Sequence, residues 1–222
     1  MPCIWLCAGV CRSSPLLTKF GVGPEMKLAD ILGFEREYLK SYLPKPCAVL
    51  LLFPLSPEHK EFRKSQACEQ KDKKPDDKVY FIIQTKENSC ALVGLIHAVA
   101  NNKDKMTFDK DSVLKDFLDK TADASPEERA KLLEENEPLK SDYNAIAAEG
   151  QCRPTEGVHF HLVVFTAVNG RLYELDGLTA KPIDHGPTSE ETLLEDAGKI
   201  CKQFTEREKD DVHFSSVALV KA

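Results

Sequence analysis

Asn169-Gly170 separates two alternating, β-branched runs, Val-His-Phe-His-Leu-Val-Val-Phe-Thr-Ala-Val over 158–168 and Arg-Leu-Tyr-Glu-Leu-Asp over 171–176. Asn-Gly in this setting signals a two-residue type I′ turn, whose two central residues both need positive φ. The turn fixes the register of the hairpin. With Val168 opposite Arg171, Val163 falls opposite Asp176 and His161 opposite Leu178. Strand side chains alternate between faces, so His161, Val163 and Asp176 project from one face. His161 and Asp176 become diagonal neighbours, about 7–8 Å apart at the backbone and within reach of a side-chain hydrogen bond. An imidazole oriented by a carboxylate is what a nucleophilic thiol requires of its acid/base partner. His159 shares that face but falls opposite Ala180, which offers it no carboxylate.

The thiol comes from earlier in the chain. Residues 78–84, Lys-Val-Tyr-Phe-Ile-Ile-Gln, are β-branched and aromatic; the run breaks at Thr-Lys-Glu-Asn-Ser and restarts at Cys90 with Leu92, Leu95, Ile96, Val99 and Ala100 at helical spacing. Cys90 therefore stands at the mouth of a helix buried along one face. The unpartnered N–H groups and about half a positive charge at a helix start favour the thiolate. Gln84, six residues before the thiol, offers an amide N–H to a developing oxyanion. A lone cysteine is more often a small buried hydrophobe. The case for Cys90 as nucleophile rests on His161 and Asp176.

Gln84…Cys90…His161…Asp176, with Gln-Thr-x-x-Asn-Ser-Cys before a Gly-Leu-Ile-His-Ala-Val-Ala-Asn-Asn helix, Leu-Tyr-Glu-Leu-Asp-Gly, and Phe-Thr-Glu-Arg-Glu near the end, resembles the ubiquitin carboxyl-terminal hydrolases, which are papain-like cysteine peptidases. The resemblance runs from about Phe20 to Ala222 and is closest to a short, single-domain, neuron-enriched member. It implies an α/β (α+β) papain-like fold with a central, mostly antiparallel sheet flanked by helices and a knotted chain. It implies Cys90 as nucleophile, His161 as general base and acid, Asp176 as its orienter and Gln84 as oxyanion donor, with ubiquitin contacts at Val212, His213, Phe214 and Ser215. The segment over 150–157, which carries Cys152, would cross the active site and restrict entry to small or flexible ubiquitin adducts. No metal or organic cofactor is required.

Two departures from the family pattern stand out. Ala91-Leu92 replaces the family's Gly-Thr after the nucleophile, which puts a methyl and an isobutyl group where the scissile carbonyl should approach. This leaves open a second function, a ubiquitin-binding or ubiquitin-stabilising protein with weak or no turnover. An acyltransferase with a Cys-His-Asp triad is a third, remote reading. Residues 1–15 do not match the family's opening segment, so that segment's contacts cannot be carried over.

Composition narrows the remaining choices. With 42% apolar content over 222 residues and no Pro/Gly/Ser-rich linker, the expectation is one catalytic domain over 1–222. Eight cysteines show neither zinc-ligand pairing nor dense disulfide spacing, which suits a reducing cytosol. The net charge of −6 has the right sign for a partner with a basic face, and basic residues interleaved with acids argue against nucleic acid. The apolar stretch over 4–10 has no Lys or Arg before it, unlike a signal peptide, and 48–53 is too short to span a bilayer. The expected protein is cytoplasmic, a monomer or weak dimer, with ubiquitin and small ubiquitin adducts as partners.

The element pattern agrees with an α/β arrangement. Helices are expected over 27–38 and 57–68, the second capped by Ser56 with Pro57 at its first position, and a buried strand lies between them over 46–54. The polar run 69–78 reads as a solvated loop. Ser125-Pro-Glu-Glu128 is a capping box opening a helix to about Asn136, and Thr188 with Glu191 suggests another for a helix burying Leu193, Leu194, Ala197, Ile200, Cys201 and Phe204. A closing strand is expected over 212–220.

Overall fold

Residues 46–54 are apolar throughout and all nine are buried, as a strand covered on both faces must be. The computed structural model describes residues 14–34, 43, 45–71, 73–86, 89–149, 159–207 and 214–222. Along them run α1 (Ser14–Lys19), β1 (Met26–Asp30), β2 (Pro46–Pro54), α2 (Pro57–Glu69), α3 (Cys90–Ala100), α4 (Val113–Lys120), α5 (Pro126–Glu135), α6 (Glu137–Glu149), β3 (Phe160–Val168), β4 (Arg171–Leu175), β5 (Ile183–Pro187), α7 (Leu193–Arg207) and β6 (Ser215–Lys221). The strands form a six-stranded sheet in the order β1-β6-β2-β3-β4-β5. Every neighbouring pair is antiparallel.

The period-two alternation of β2 and β3 divides the core between the two faces of the sheet. Leu50, Leu52, Leu162 and Val164 pack with α3 and with residues of α1, α4, α5 and α6. Val49, Leu51, Phe53, Val163 and Phe165 pack with Leu193, Ala197, Cys201 and Phe204 of α7. All eleven residues of α3 are buried. The helix lies close against β3 at Gly94, where a Cβ would run into the Leu162 side chain.

Several sequence expectations are met. α2 is capped by Ser56, whose Oγ accepts from the His59 N–H at 3.0 Å. α5 opens with the complete Ser125–Glu128 capping box. Two expectations are corrected. Of the helix expected over 27–38, residues 35–38 lie outside the described residues, and the start is instead the strand β1 at 26–30, because Met26 and Leu28 are buried, Lys27 is exposed, and the segment pairs with β6. Tertiary pairing overrides helix propensity there. α7 begins at Leu193, so Thr188 does not cap it; the Thr188 hydroxyl donates to Asp196 at 3.0 Å. The described residues of the 69–78 run are exposed or half-buried, as a solvated loop should be, with surface contacts from Lys181 to the Lys73 carbonyl at 2.5 Å and from Asn169 to Asp76 at 2.5 Å.

The β-branched run over 78–84 joins no strand. Side chains of α3 and of its C-cap residue Asn101 satisfy its backbone instead. Asn101 accepts from Tyr80 N–H and donates to Tyr80 C=O, both at 2.8 Å, and His97 Nε2 accepts from Ile82 N–H at 2.9 Å. A helix residue and the C-cap residue four positions on thus stand in for a neighbouring strand.

Candidate active site

The β3–β4 hairpin turns at Asn169 (φ 49°) and Gly170 (φ 75°), with Val168 opposite Arg171. From there the ladder runs to Val164 opposite Leu175. Just past its end the His161 and Asp176 side chains meet, Nε2 to Oδ1 at 2.6 Å, both residues almost fully buried. Burial alone would raise the Asp176 pKa. His161, Arg63 and the Leu178 N–H, which donates to Oδ1 at 2.9 Å, outweigh it and hold the carboxyl well below the usual carboxylate range. An ionised Oδ1 requires a donor, so Nε2 carries the proton and Nδ1 is left as the basic nitrogen.

The first residue of α3 is Cys90, 3% exposed, with Ser89 at the N-cap position. The Ser89 hydroxyl donates to the Lys86 carbonyl at 2.8 Å and makes no cap to the helix, so the first-turn amides keep their positive end. The Cys90 sulfur is in a disulfide, and the attacking form is the thiolate released by reduction.

α3 packs on one face of the sheet and His161 projects from the other. The chain joins them at the end of β4. Gln84 N–H donates to the Gly177 carbonyl at 2.7 Å, so the segment leading into α3 lies along the turn that follows Asp176. Gly177 allows this approach, since a Cβ there would stand 2.8 Å from Gln84 Cβ and 3.2 Å from Val93 Cγ1. The Gln84 amide donates to the Lys86 carbonyl at 3.0 Å, which uses one of its two N–H groups.

Ala91 and Leu92 occupy places different from those their sequence position suggests. Leu92 is 4% exposed and Ala91 8%. Leu92 lines a cavity of about 190 Å³ with Ile83, Ala130, Leu133 and Tyr143. Ala91 and Leu92 both belong to the apolar cluster that α3 shares with Ala130 and Leu133 of α5 and Tyr143 of α6, so neither side chain stands exposed at the helix start.

Sequence reasoning missed the groups behind Asp176. Arg63 of α2 pairs with Glu174 and lies 3.1 Å from Asp176 Oδ2. Glu174, fully buried, is also bonded by His185 Nε2 at 2.7 Å. The signal was present: Glu174 and Asp176 are two apart on an apolar strand, so they share a buried face and call for a cation. Nearby, His59 is buried among Phe53, Phe62 and Phe204. Burial, with the Arg63 and Arg207 charges, pushes its pKa down to about 3.

Val212, His213, Cys152 and the loop over 150–157 lie outside the described residues. Phe214 and Ser215 are half-buried and line a groove of about 750 Å³ with Ile31, Leu32 and Phe34. Leu32 is 72% exposed there. Among the described residues, no helix is long and apolar enough to cross a membrane.

An oriented imidazole and a cysteine at a helix start, on an antiparallel sheet covered by helices, are the parts of a cysteine-type hydrolase of papain-like architecture. The chain belongs to the ubiquitin carboxyl-terminal hydrolases, family 1, whose family model matches residues 13–206. It is 52% identical over 207 residues to ubiquitin carboxyl-terminal hydrolase isozyme L1 of Sus scrofa, covering 93% of each chain. Identity to the Homo sapiens isozyme L1 is 51% over 207 residues, again 93% of each. Among solved structures, the Trichinella spiralis UCH37 catalytic domain bound to ubiquitin vinyl methyl ester superposes with a TM-score of 0.73 at 23% identity, covering 97% of this chain and 94% of that one. At that identity the likeness speaks for the fold.

Proposed function

We propose that this chain, as a single catalytic domain over 1–222, cleaves small adducts from the C-terminal glycine of ubiquitin through an acyl-enzyme on Cys90. The observation that carries the reading is the buried 2.6 Å contact between His161 and an ionised Asp176, which leaves Nδ1 free to act as the base. Nδ1 takes the Cys90 proton, and the thiolate attacks the glycine carbonyl. The Cys90 N–H and the Gln84 amide receive the oxyanion. The imidazolium then protonates the leaving amine or thiolate. Water, deprotonated by the same nitrogen, attacks the thioester and frees the ubiquitin carboxylate. Val212, His213, Phe214 and Ser215 contact ubiquitin in this reading; of these, Phe214 and Ser215 line the groove beside the start of β6. The expected setting is cytoplasmic, and the enzyme acts as a monomer or weak dimer.

Ubiquitin binding without turnover is not favoured. The family and the curated relatives are hydrolases, and Ala91 and Leu92, the residues on which that alternative leaned, are both buried. The deciding experiment is hydrolysis of a ubiquitin C-terminal fluorogenic amide under a thiol reductant. Cys90→Ala should abolish it and leave ubiquitin affinity within about tenfold, since the thiol bonds only along the reaction path. Turnover that survives Cys90→Ala ends the assignment.

A further inference from the structure

Glu174 has no part in the proposed chemistry, yet it is 0% exposed and lies on the same strand face as Asp176. Two buried carboxylates this close repel each other unless a cation is shared between them. Arg63 supplies it. Its guanidinium pairs with Glu174, stands 3.1 Å from Asp176 Oδ2, and is held by Gln66 Oε1 at 2.6 Å from Nη1. Glu174 in turn is gripped by His185 at 2.7 Å. Asp176 therefore has a divided set of partners: Oδ1 serves His161 and the Leu178 N–H, while Oδ2 faces Arg63.

We infer that Arg63, anchored by Glu174 and His185, is a positioning residue of this hydrolase: it fixes the Asp176 carboxylate so that Oδ1 faces His161, and it keeps that carboxylate ionised beside a second buried negative charge. The inference rests on the reading of Asp176 as the orienter of His161. The charged and titratable groups around Asp176 are His161 from β3, Arg63 and His59 from α2, Glu174 from β4 and, behind Glu174, His185 from β5. Among the described residues, His97 of α3 and, from α7, Arg207 acting on His59 and Cys201 facing Glu174 add to these surroundings. Of these, only Arg63 pairs with both carboxylates.

Loss of Arg63 leaves Glu174 and Asp176 facing each other without their shared cation. Asp176 then takes up a proton at higher pH, Nε2 loses its acceptor, and the acid limb of kcat/KM moves upward. The test compares Arg63→Met, Arg63→Lys, Glu174→Gln and the double variant Arg63→Met/Glu174→Gln, assayed on a ubiquitin C-terminal fluorogenic amide across pH. Arg63→Met should lower kcat by about tenfold to a hundredfold, the scale seen when a partner behind a working side chain is removed, with KM nearly unchanged. Arg63→Lys should recover part of the loss. The double variant should be more active than Arg63→Met alone, with its acid limb returned toward that of the parent, because the repulsion is gone. Should Arg63→Met fail to fold, the charge-balanced double variant and Arg63→Lys still carry the test. Losses that multiply independently in the double variant, or an acid limb that does not move, overturn the inference. Asp176→Asn is the control. If it is fully active, the role of Asp176 is what has failed; if it is inactive while Arg63→Met keeps the parent rate and pH profile, only the role of Arg63 has failed.

Discussion

Asp176 and His59 are both polar residues only 1% exposed, and each has a testable consequence. Replacement of Asp176 by Asn keeps the shape, but Nε2–H no longer meets a carboxylate and the tautomer is no longer imposed. The turnover number of Asp176→Asn should fall by orders of magnitude with ubiquitin affinity nearly constant; steady-state kinetics beside a binding titration will separate the two. The second consequence concerns His59. Its ring nitrogens have no hydrogen-bond partner among the described residues, and its pKa falls from 6.5 to about 3. Between those values the unfolded chain binds a proton that the native state refuses. Stability from this site is therefore complete above about pH 6.5 and is lost as pH falls toward 3, by up to about 1.4 kcal/mol per pH unit. Replacing His59 with Phe, which suits the ring cluster, should flatten that part of the urea-midpoint-against-pH curve. A slope equal to the parent's would assign the acid sensitivity to other groups, among them His97, whose burial also lowers its pKa to about 3.

At the scale of elements, α3 decides whether the site can form. Ala91-Leu92 looked obstructive in the sequence because residues following a nucleophile were assumed to face the substrate. Leu92, 4% exposed, belongs to the buried apolar cluster with Ala130, Leu133 and Tyr143, which makes it a packing residue. Converting Ala91-Leu92 to Gly-Thr should therefore lower the melting temperature markedly. The Leu92 part removes buried apolar surface at a cost on the order of 2–4 kcal/mol, and the Gly adds about 1 kcal/mol. Turnover at temperatures where both proteins are folded should change less than tenfold. A much faster, equally stable double variant would restore the steric account. The elements also differ in how legible they were. The hairpin and the capped helices α2 and α5 carry their instructions locally, in Asn-Gly, Ser-Pro and a Ser…Glu pair. β1 does not, because its strand character comes from pairing with β6, nearly two hundred residues away.

The whole molecule carries a net charge of −6, modest for 222 residues, and among the described residues several exposed ion pairs are local, such as Lys120–Asp116 and Lys64–Glu61. Such pairs contribute little to stability. The long-range field should act on encounter with a basic partner face more than on the strength of the final complex. Raising ionic strength from about 0.01 M to 1 M, which shortens the Debye length from roughly 30 Å to 3 Å, should slow ubiquitin association while leaving dissociation nearly unchanged. Stopped-flow measurement with labelled ubiquitin gives both rates. A salt effect confined to dissociation would show that charge acts within the interface.

By itself the sequence determined what is local or periodic: the turn, its register, the shared face of His161 and Asp176, the cysteine at a helix start, and the apolar strand at the centre of the sheet. Each follows from backbone geometry over a few residues, which the chain carries wherever it folds. Tertiary structure alone decided what distant segments do for one another. Arg63 reaches Asp176 from more than a hundred positions away, Gln84 is tied to Gly177, and His97 and Asn101 replace a strand partner for 80–82. These contacts have no period and no motif. They exist because buried polar groups must be paired inside a low-dielectric core, and the partner is whichever side chain the packing of the sheet and its helices brings within reach.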